Sequence, residues 1–146
     1  LDSFKMVLAL NFWFGSRGCK TPLHYDRTDN FLVQILGTKR VTIFPPSDSQ
    51  YLYPAFGKGM PHISRINVFG EDTAEFPMYS KAQPICFDLE PGNILYLPPK
   101  WWHAVESLET SISVNYWWAG PCGGINFVLK NLVAQISTKI KHGQAK

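Results

Sequence analysis

The tripeptide His24-Tyr25-Asp26 carries two side chains that bind transition metals. On an extended segment, residues two apart point to the same side, so the imidazole of His24 and the carboxylate of Asp26 converge while Tyr25 faces away. Imidazole and carboxylate are both common ligands of first-row metals. The tripeptide alone also fits a surface histidine beside a solvated aspartate, so a third ligand is needed to choose between the two interpretations.

Four histidines are present, and three of them are candidates for that third ligand. His62 lies in an irregular stretch and His142 near the C-terminus, and both are predicted to be solvated. His103 closes the run 97–103, in which prolines and two tryptophans precede a predicted strand. A core histidine packed beside tryptophan is the alternative, but a late antiparallel strand can return beside an early one, which favours a ligand. Two histidines and one carboxylate that leave other positions open are the ligand set of non-haem Fe(II) enzymes.

Lys39 stands where a strand pattern is otherwise apolar, because it shares one face of the strand with Val41 and Ile43. An ammonium group on such a face is expensive to bury unless it meets an anion. A lysine at a strand end that reaches out to water fits this run equally well. The two interpretations predict opposite burial of Lys39.

Asn115 lies in a strand pattern that has one apolar and one polar face. The polar face is formed by Ser111, Ser113, Asn115 and Trp117. Such a face fits either contact with solvent or the wall of a wet pocket. The tryptophan on it favours the pocket.

The elements that must position these residues are predicted to be strands. The chain has 146 residues, of which 45% are hydrophobic and 17% charged, which is enough to bury one core. Eleven glycines and eleven prolines favour many short elements. The predicted strands are Phe4–Phe14, Phe31–Leu36, Arg40–Phe44, Pro84–Leu89, Ile94–Leu97, His103–Glu106 and Ser111–Trp118, with a hairpin connection at Gly37-Thr38. This spacing is typical of a β-sandwich or barrel.

Two segments depart from the strand pattern. Residues 45–81 are rich in turn-forming and aromatic residues, and we expect an ordered loop that covers the core. Residues 121–146 contain apolar side chains at helical spacing, which predicts one amphipathic helix. These apolar residues are Ile125, Val128, Leu129, Leu132, Val133, Ile136 and Ile140.

Charge and cysteine usage exclude several classes of protein. The net charge of +3 gives little support for a nucleic-acid binder. No apolar run approaches the roughly 18–20 residues of a membrane span. Three cysteines without a CxxC motif argue against a disulfide framework and a structural zinc site. We therefore expect an intracellular protein, cytoplasmic or nuclear.

Several blocks of sequence, in this order and spacing, resemble the Jumonji-C (JmjC) and cupin-like Fe(II)/2-oxoglutarate oxygenases. The similarity is strongest to the hydroxylase branch, of the asparaginyl hydroxylase type, and it covers about residues 8 to 120. The blocks are Thr21-Pro22-Leu23-His24-Tyr25-Asp26, Asn30, Gly37-Thr38-Lys39-Arg40, Phe44-Pro45-Pro46, the run 91–98, Trp101-Trp102-His103 and the run 113–117.

The resemblance implies an all-β core, a double-stranded β-helix, over residues 1–120, with a C-terminal helix over 121–146 that packs on the core or on a partner. We expect the core to lack its N-terminal part, because few residues precede the first metal motif. The resemblance also implies a role for each candidate residue. Iron would be held by His24, Asp26 and His103; 2-oxoglutarate would pair with Lys39 and Thr21; and Asn30 and Asn115 would lie near the cosubstrate.

The implied activity is hydroxylation of a C–H bond, most simply on a protein side chain, with Fe(II), 2-oxoglutarate and O₂ as the cofactor and cosubstrates and with succinate and CO₂ as products. Demethylation of N-methyl lysine and hydroxylation of RNA use the same chemistry and are the alternatives within the enzyme class. A non-catalytic cupin-like interaction module is the alternative from another class. The expected partner is a protein substrate, with no membrane contact, and homodimerisation through the C-terminal helix is an alternative to packing within one chain.

Overall fold

The computed structural model describes residues 6–56, 60–70 and 74–119. Short 3₁₀ helices lie at Pro46–Tyr51 and Pro77–Lys81, and the other elements of the described chain are strands. The strands are β1 (Met6–Gly15), β2 (Lys20–Tyr25), β3 (Asp29–Leu36), β4 (Lys39–Phe44), β5 (Pro54–Ala55), β6 (Met60–Ser64), β7 (Ile85–Leu89), β8 (Ile94–Leu97), β9 (Trp102–Ser107) and β10 (Ser111–Ala119). The predicted all-β core is confirmed.

The strands form two antiparallel sheets that face each other. The four-stranded sheet has the order β1-β10-β3-β8, and the six-stranded sheet has the order β5-β6-β2-β9-β4-β7. Between them, Leu32 of the first sheet packs with Val41 and Leu89 of the second. This arrangement is a β-sandwich in which the inward side chains of both sheets enclose the interior.

The connection at Gly37-Thr38 differs from the predicted hairpin. Strand β3 pairs with β10 and β8, whereas β4 pairs with β9 and β7, so the connection carries the chain from one sheet to the other. Gly37 has a φ of 67°, and a Cβ atom there would lie 2.2 Å from the carbonyl oxygen of Thr110. The short distance in sequence between β3 and β4 could not reveal this change of sheet, because each strand pairs with strands that lie much later in the chain.

The segment between β4 and β7 covers the outer face of the six-stranded sheet, as predicted. Outward side chains of the sheet form a fully buried cluster with Leu52 of this segment: Leu23, Phe44, Trp102 and Ala104. The indole Nε1 of Trp102 donates a hydrogen bond to Ser49 Oγ at 2.9 Å. The backbone N–H of Gln83 donates to the carboxylate of Asp48 at 2.9 Å, which ties the end of the segment to its beginning.

The predicted C-terminal helix over 121–146 lies outside the described residues. In the part of the chain that the structure describes, no helix has the length and apolar character needed to cross a bilayer.

Candidate metal centre and its cavity

Strands β2 and β9 bring two histidines together, since His24 lies directly opposite His103 in their antiparallel register. Thr21 pairs with Val105, so three steps along β2 match two steps along β9. This β-bulge changes the alternation of β2, and Thr21 and His24 both line the interior although they are three residues apart. Leu23 points the other way, into the outer cluster.

Three metal-binding side chains converge at this point: His24, Asp26 and His103. One ligand atom from each lies within 4.8 Å of the others, and no second such group of three occurs in the described residues. The ring centroids of the two histidines are 4.2 Å apart, and His103 Nε2 lies 3.9 Å from Asp26 Oδ2. Two imidazoles and one carboxylate at this spacing could hold a transition-metal ion.

Backbone carbonyls select the tautomer of both imidazoles. Nδ1 of His24 lies 2.8 Å from the carbonyl oxygen of Pro22, and Nδ1 of His103 lies 3.0 Å from that of Trp101. A carbonyl oxygen can only accept, so each Nδ1 carries a proton, and in the neutral imidazole the free lone pair is then on Nε2. Histidines held in this way present Nε2 to a metal.

The electrostatics of the group reflect the cost of burying charge. Burial lowers the pKa of His103 to about 3, and the neighbouring His24 contributes to this lowering. Burial raises the pKa of Asp26, against the opposing effects of His24 and of the Asn30 amide. The neutral imidazole of His103 is the form that ligates a metal, and a cation at this point would compensate the buried carboxylate.

The three side chains line a cavity of about 280 Å³ between the two sheets. All seven residues predicted from the sequence as site residues line this one cavity. Its complete lining is Trp13, Thr21, His24, Asp26, Asn30, Leu32, Lys39, His62, Leu97, His103, Val105, Asn115 and Trp117.

Lys39 provides a cation in the interior of this cavity. It is only 7% exposed, and its ammonium group donates a hydrogen bond to Ser113 Oγ. Within residues 6–56, 60–70 and 74–119, no carboxylate lies within ion-pair distance of it. Burial lowers the pKa of Lys39, with a small opposing effect from Cys19. A buried ammonium group without a counter-charge favours an anionic ligand.

The polar face of β10 lines the interior cavity and does not face solvent. Ser113 and Asn115 are buried there. The amide of Asn115 donates to Asn30 Oδ1 at 2.7 Å, and the Asn30 amide lies 3.5 Å from Asp26 Oδ2. Nε1 of Trp117 is buried and has no acceptor among the described residues. The four-stranded sheet thus offers neutral hydrogen-bonding groups to the cavity.

The prediction for His62 is wrong. It lies in β6, which pairs with β2, and it is half-buried at the cavity wall. Its ring is edge-on to Tyr25, with centroids 6.4 Å apart, and it is close enough to influence the pKa of Asp26. A five-residue strand interrupted by Pro61 has no clear alternation, so the sequence carries no local signal for this position. His142, the other histidine predicted to be solvated, lies outside the described residues.

A second cavity, of about 440 Å³, adjoins the first. Asp26, His62 and Trp117 line both cavities. The second cavity is otherwise lined by Leu8, Ala9, Tyr25, Arg27, Thr28 and Pro61. The carboxylate of Asp26 therefore lies between the first cavity, which Lys39 also lines, and a second cavity with a largely apolar wall.

Comparison with known proteins gives matches over most of the chain. A family model described as a cupin-like domain matches residues 4–123. Lysine-specific demethylase 8 of Xenopus tropicalis is 37% identical over 112 residues, which is 77% of this chain and 25% of the relative. Lysine-specific demethylase JMJ30 of Arabidopsis thaliana is 40% identical over 111 residues, 76% of this chain and 26% of the relative. HSPB1-associated protein 1 of Homo sapiens is 40% identical over 112 residues, 72% of this chain and 22% of the relative. The chain thus spans about a quarter of the length of these curated relatives.

Solved structures share the fold. The Escherichia coli ribosomal oxygenase YcfD, in complex with cobalt and 2-oxoglutarate, aligns with a TM-score of 0.53 at 19% identity. That alignment covers 95% of this chain and 29% of the other. Another structure of E. coli YcfD aligns with a TM-score of 0.56 at 22% identity, over 94% of this chain and 32% of the other. At this level of identity the likeness concerns the fold alone.

Proposed function

The chain belongs to the cupin-like JmjC family of Fe(II)- and 2-oxoglutarate-dependent oxygenases, and from that premise we propose that it hydroxylates a C–H bond on a protein side chain. The observation that carries the proposal is one cavity that joins three metal-binding side chains to a buried, uncompensated lysine. The overall reaction consumes O₂ and 2-oxoglutarate, releases succinate and CO₂, and leaves one oxygen atom on the substrate as a hydroxyl group.

The donor set fits iron. Two imidazoles that direct Nε2 away from their backbone carbonyl partners, together with one carboxylate, match the ligands of non-haem Fe(II) sites, which keep further positions open. His24, Asp26 and His103 would hold the ion. When bound, Fe(II) supplies the activation of O₂ that is coupled to oxidative decarboxylation of 2-oxoglutarate. The protein's own part is to orient both histidines through the carbonyls of Pro22 and Trp101 and, by burial, to keep His103 neutral.

The rest of the cavity fits a dicarboxylate. Lys39 would pair with the far carboxylate, and the Thr21 hydroxyl would add a hydrogen bond to it. The unpartnered Nε1 of Trp117 and the amides of Asn30 and Asn115 offer hydrogen bonds to its other oxygens. Because these groups lie inside a pocket, a bound anion would interact with them more strongly than it could in water.

We propose the second cavity as the entry for the primary substrate. It adjoins Asp26, and Leu8, Ala9 and Pro61 give it apolar walls suited to part of a peptide. The name of the YcfD ribosomal oxygenase indicates that a protein of this fold acts on the ribosome, which supports a macromolecular substrate without identifying it.

Demethylation of N-methyl lysine is the second candidate. Two of the relatives described above are named lysine-specific demethylases, and hydroxylation of an N-methyl group leads to loss of formaldehyde. Release of formaldehyde from a methylated peptide separates the two activities. Hydroxylation of RNA and a non-catalytic role are further candidates, and an intracellular location stays a prediction.

Metal binding tests the proposal directly. Asp26→Asn in the full chain should weaken Mn(II) binding at least 100-fold in oxygen-free titration calorimetry, because it removes the anionic ligand. Asp88→Asn is the matched control: Asp88 is exposed and pairs with Arg40, so Mn(II) affinity should not change. Equal affinities of the two variants, or the absence of Mn(II)-dependent 2-oxoglutarate binding by the unaltered chain, would contradict the proposal and favour the non-catalytic module.

A further inference from the structure

The outer face of the four-stranded sheet is a continuous apolar surface. We call it the aromatic face; its outward residues are Leu10, Phe12 and Phe14 on β1, Ile112, Val114, Tyr116 and Trp118 on β10, Phe31, Val33 and Ile35 on β3, and Ile94 and Tyr96 on β8. Several are largely exposed, among them Phe14 at 69% and Phe12 at 66%. Monomeric proteins seldom leave so many adjacent large apolar side chains in water, so this surface needs a partner.

Strand β1 is the least covered part of the aromatic face, and with its neighbour β10 it forms one half of that face; Leu10, Phe12 and Phe14 are 61%, 66% and 69% exposed. On the β3 side, Trp118 packs on Phe31 with ring centroids 4.6 Å apart and lies 6.0 Å from Tyr96, so these rings shield one another. No aromatic contact of this kind shields Phe12 or Phe14 among the described residues. A partner would therefore gain most by covering β1 and β10.

We propose that residues 121–146 of this same chain cover that half of the aromatic face. The segment continues directly from β10, which lies between β1 and β3 in the sheet. Residues 120–124 are Gly-Pro-Cys-Gly-Gly, a composition that favours a reversal of the chain. The segment therefore starts at the C-terminal end of β10 and can fold back over that strand.

The length and pattern of the segment fit this surface. Residues 125–140 would span about 24 Å as a helix, against about 30 Å for the nine residues of β10. The apolar residues predicted to share one helix face fall within an arc of about 140° at about 100° per residue, as wide as a core-facing helix needs. A helix about 10 Å wide covers about two strands spaced about 4.8 Å apart, which matches β1 and β10. This inference stands apart from the proposed activity, because none of its residues lines the Lys39 cavity.

Trypsin cleavage after Lys130 tests the docking in the full chain. Docking slows cleavage, so Ile136→Asp on the apolar stripe and Phe12→Asp on the aromatic face should each accelerate it at least tenfold. Thr138→Asp, which adds the same charge on the side of the helix away from the stripe, is the matched control and should leave the rate unchanged. Phe12 is exposed in the described structure, so its substitution leaves the core intact, and far-UV circular dichroism checks this for both variants.

Two other results would overturn the proposal. If a second copy covers the face, light scattering will give twice the chain mass and the protection of Lys130 will rise with concentration. If a different polypeptide covers it, Lys130 in the unaltered chain will be cleaved rapidly, and Phe12→Asp will not change the rate. Concentration-independent protection that both Asp variants remove is the expected outcome.

Discussion

The outer faces of the two sheets carry similar alternating apolar side chains but reach opposite burial. On the six-stranded sheet, Leu23 and Trp102 are completely buried beneath residues 46–82. On the four-stranded sheet, Ile94 and Tyr96 of β8 are 63% and 48% exposed. The same local pattern therefore becomes core or surface according to whether another segment covers it, and alternation alone specifies only which residues share a face.

The inner faces differ in a second way. The six-stranded sheet and the residue that follows β2 supply the ionisable groups of the cavity: His24, Asp26, Lys39, His62 and His103. The four-stranded sheet supplies neutral donors and acceptors such as Asn115. The ionisable groups thus lie on the sheet whose outer face is covered by a further segment, where packing restricts their movement.

Truncating one apolar residue on the outer face of each sheet should give the largest effect, measured as the change in the free energy of unfolding. Leu23→Ala should lower the free energy of unfolding by about 2–5 kcal/mol, because it leaves a cavity in a closed cluster. Ile94→Ala removes a side chain of equal size from the other sheet and should cost less than about 1 kcal/mol. Urea unfolding followed by far-UV circular dichroism measures both. Equal losses would mean that the two outer faces are equally covered.

Removal of the interior cation should have the next largest effect. Lys39→Met should weaken Mn(II)-dependent binding of 2-oxoglutarate about 10- to 100-fold, since a buried charge-assisted contact contributes about 1.5–3 kcal/mol. Ser113→Ala, on the facing sheet, should weaken it less. The exposed Lys81→Met is the matched control and should bind like the unaltered chain. Titration calorimetry without oxygen measures the 2-oxoglutarate affinity of each variant. A larger loss of affinity in Ser113→Ala than in Lys39→Met would mean that the four-stranded sheet contributes more to binding.

The pH dependence of stability gives a smaller, sharper test. In the metal-free chain, the unfolded state protonates His103 near pH 6.5 while the folded state resists protonation down to about pH 3. Stability should therefore fall as the pH drops below about 6.5, by at most about 1.4 kcal/mol per pH unit. Asp26 acts in the opposite direction, because burial raises its pKa above 3.8 in the folded chain.

His103→Gln isolates this effect, because glutamine does not titrate. Urea unfolding between about pH 7 and pH 5 in the presence of a chelator should show a shallower slope for the variant than for the unaltered chain. Parallel slopes would show that His103 is as easily protonated in the folded chain as in the unfolded one.

Much of the fold could be predicted from the sequence, and the reasons are local. Strands such as Ile94–Leu97 follow from alternation between turn-forming residues, and the covering role of 45–81 follows from its aromatic residues. The predictions were wrong where strand pairing depends on residues far apart in the chain. Gly37-Thr38 has the composition of a hairpin, yet it changes sheets, and His62 appeared solvated because β6 has no recognisable pattern.

The site shows the same division. Spacing put His24 and Asp26 on one side of an extended segment, but the bulge that adds Thr21 to that side depends on the register of β2 against β9. The sequence left the burial of Lys39 open, because its strand fits both a lysine that reaches out to water and a buried lysine that meets an anion. The structure shows that Lys39 is buried, with its ammonium group bonded to Ser113 of the other sheet.

The amino-acid sequence by itself determined the chemical types of the site residues, most of the strands that carry them and the shared side of His24 and Asp26 on an extended segment. Those properties depend on residue identity and on the two-residue period of the extended chain. Only the tertiary structure decided that His103 faces His24, that Lys39 shares their cavity and that His62 joins its wall. The physical reason is that antiparallel register and sheet order result from packing among strands far apart in the chain, and no local pattern contains that information.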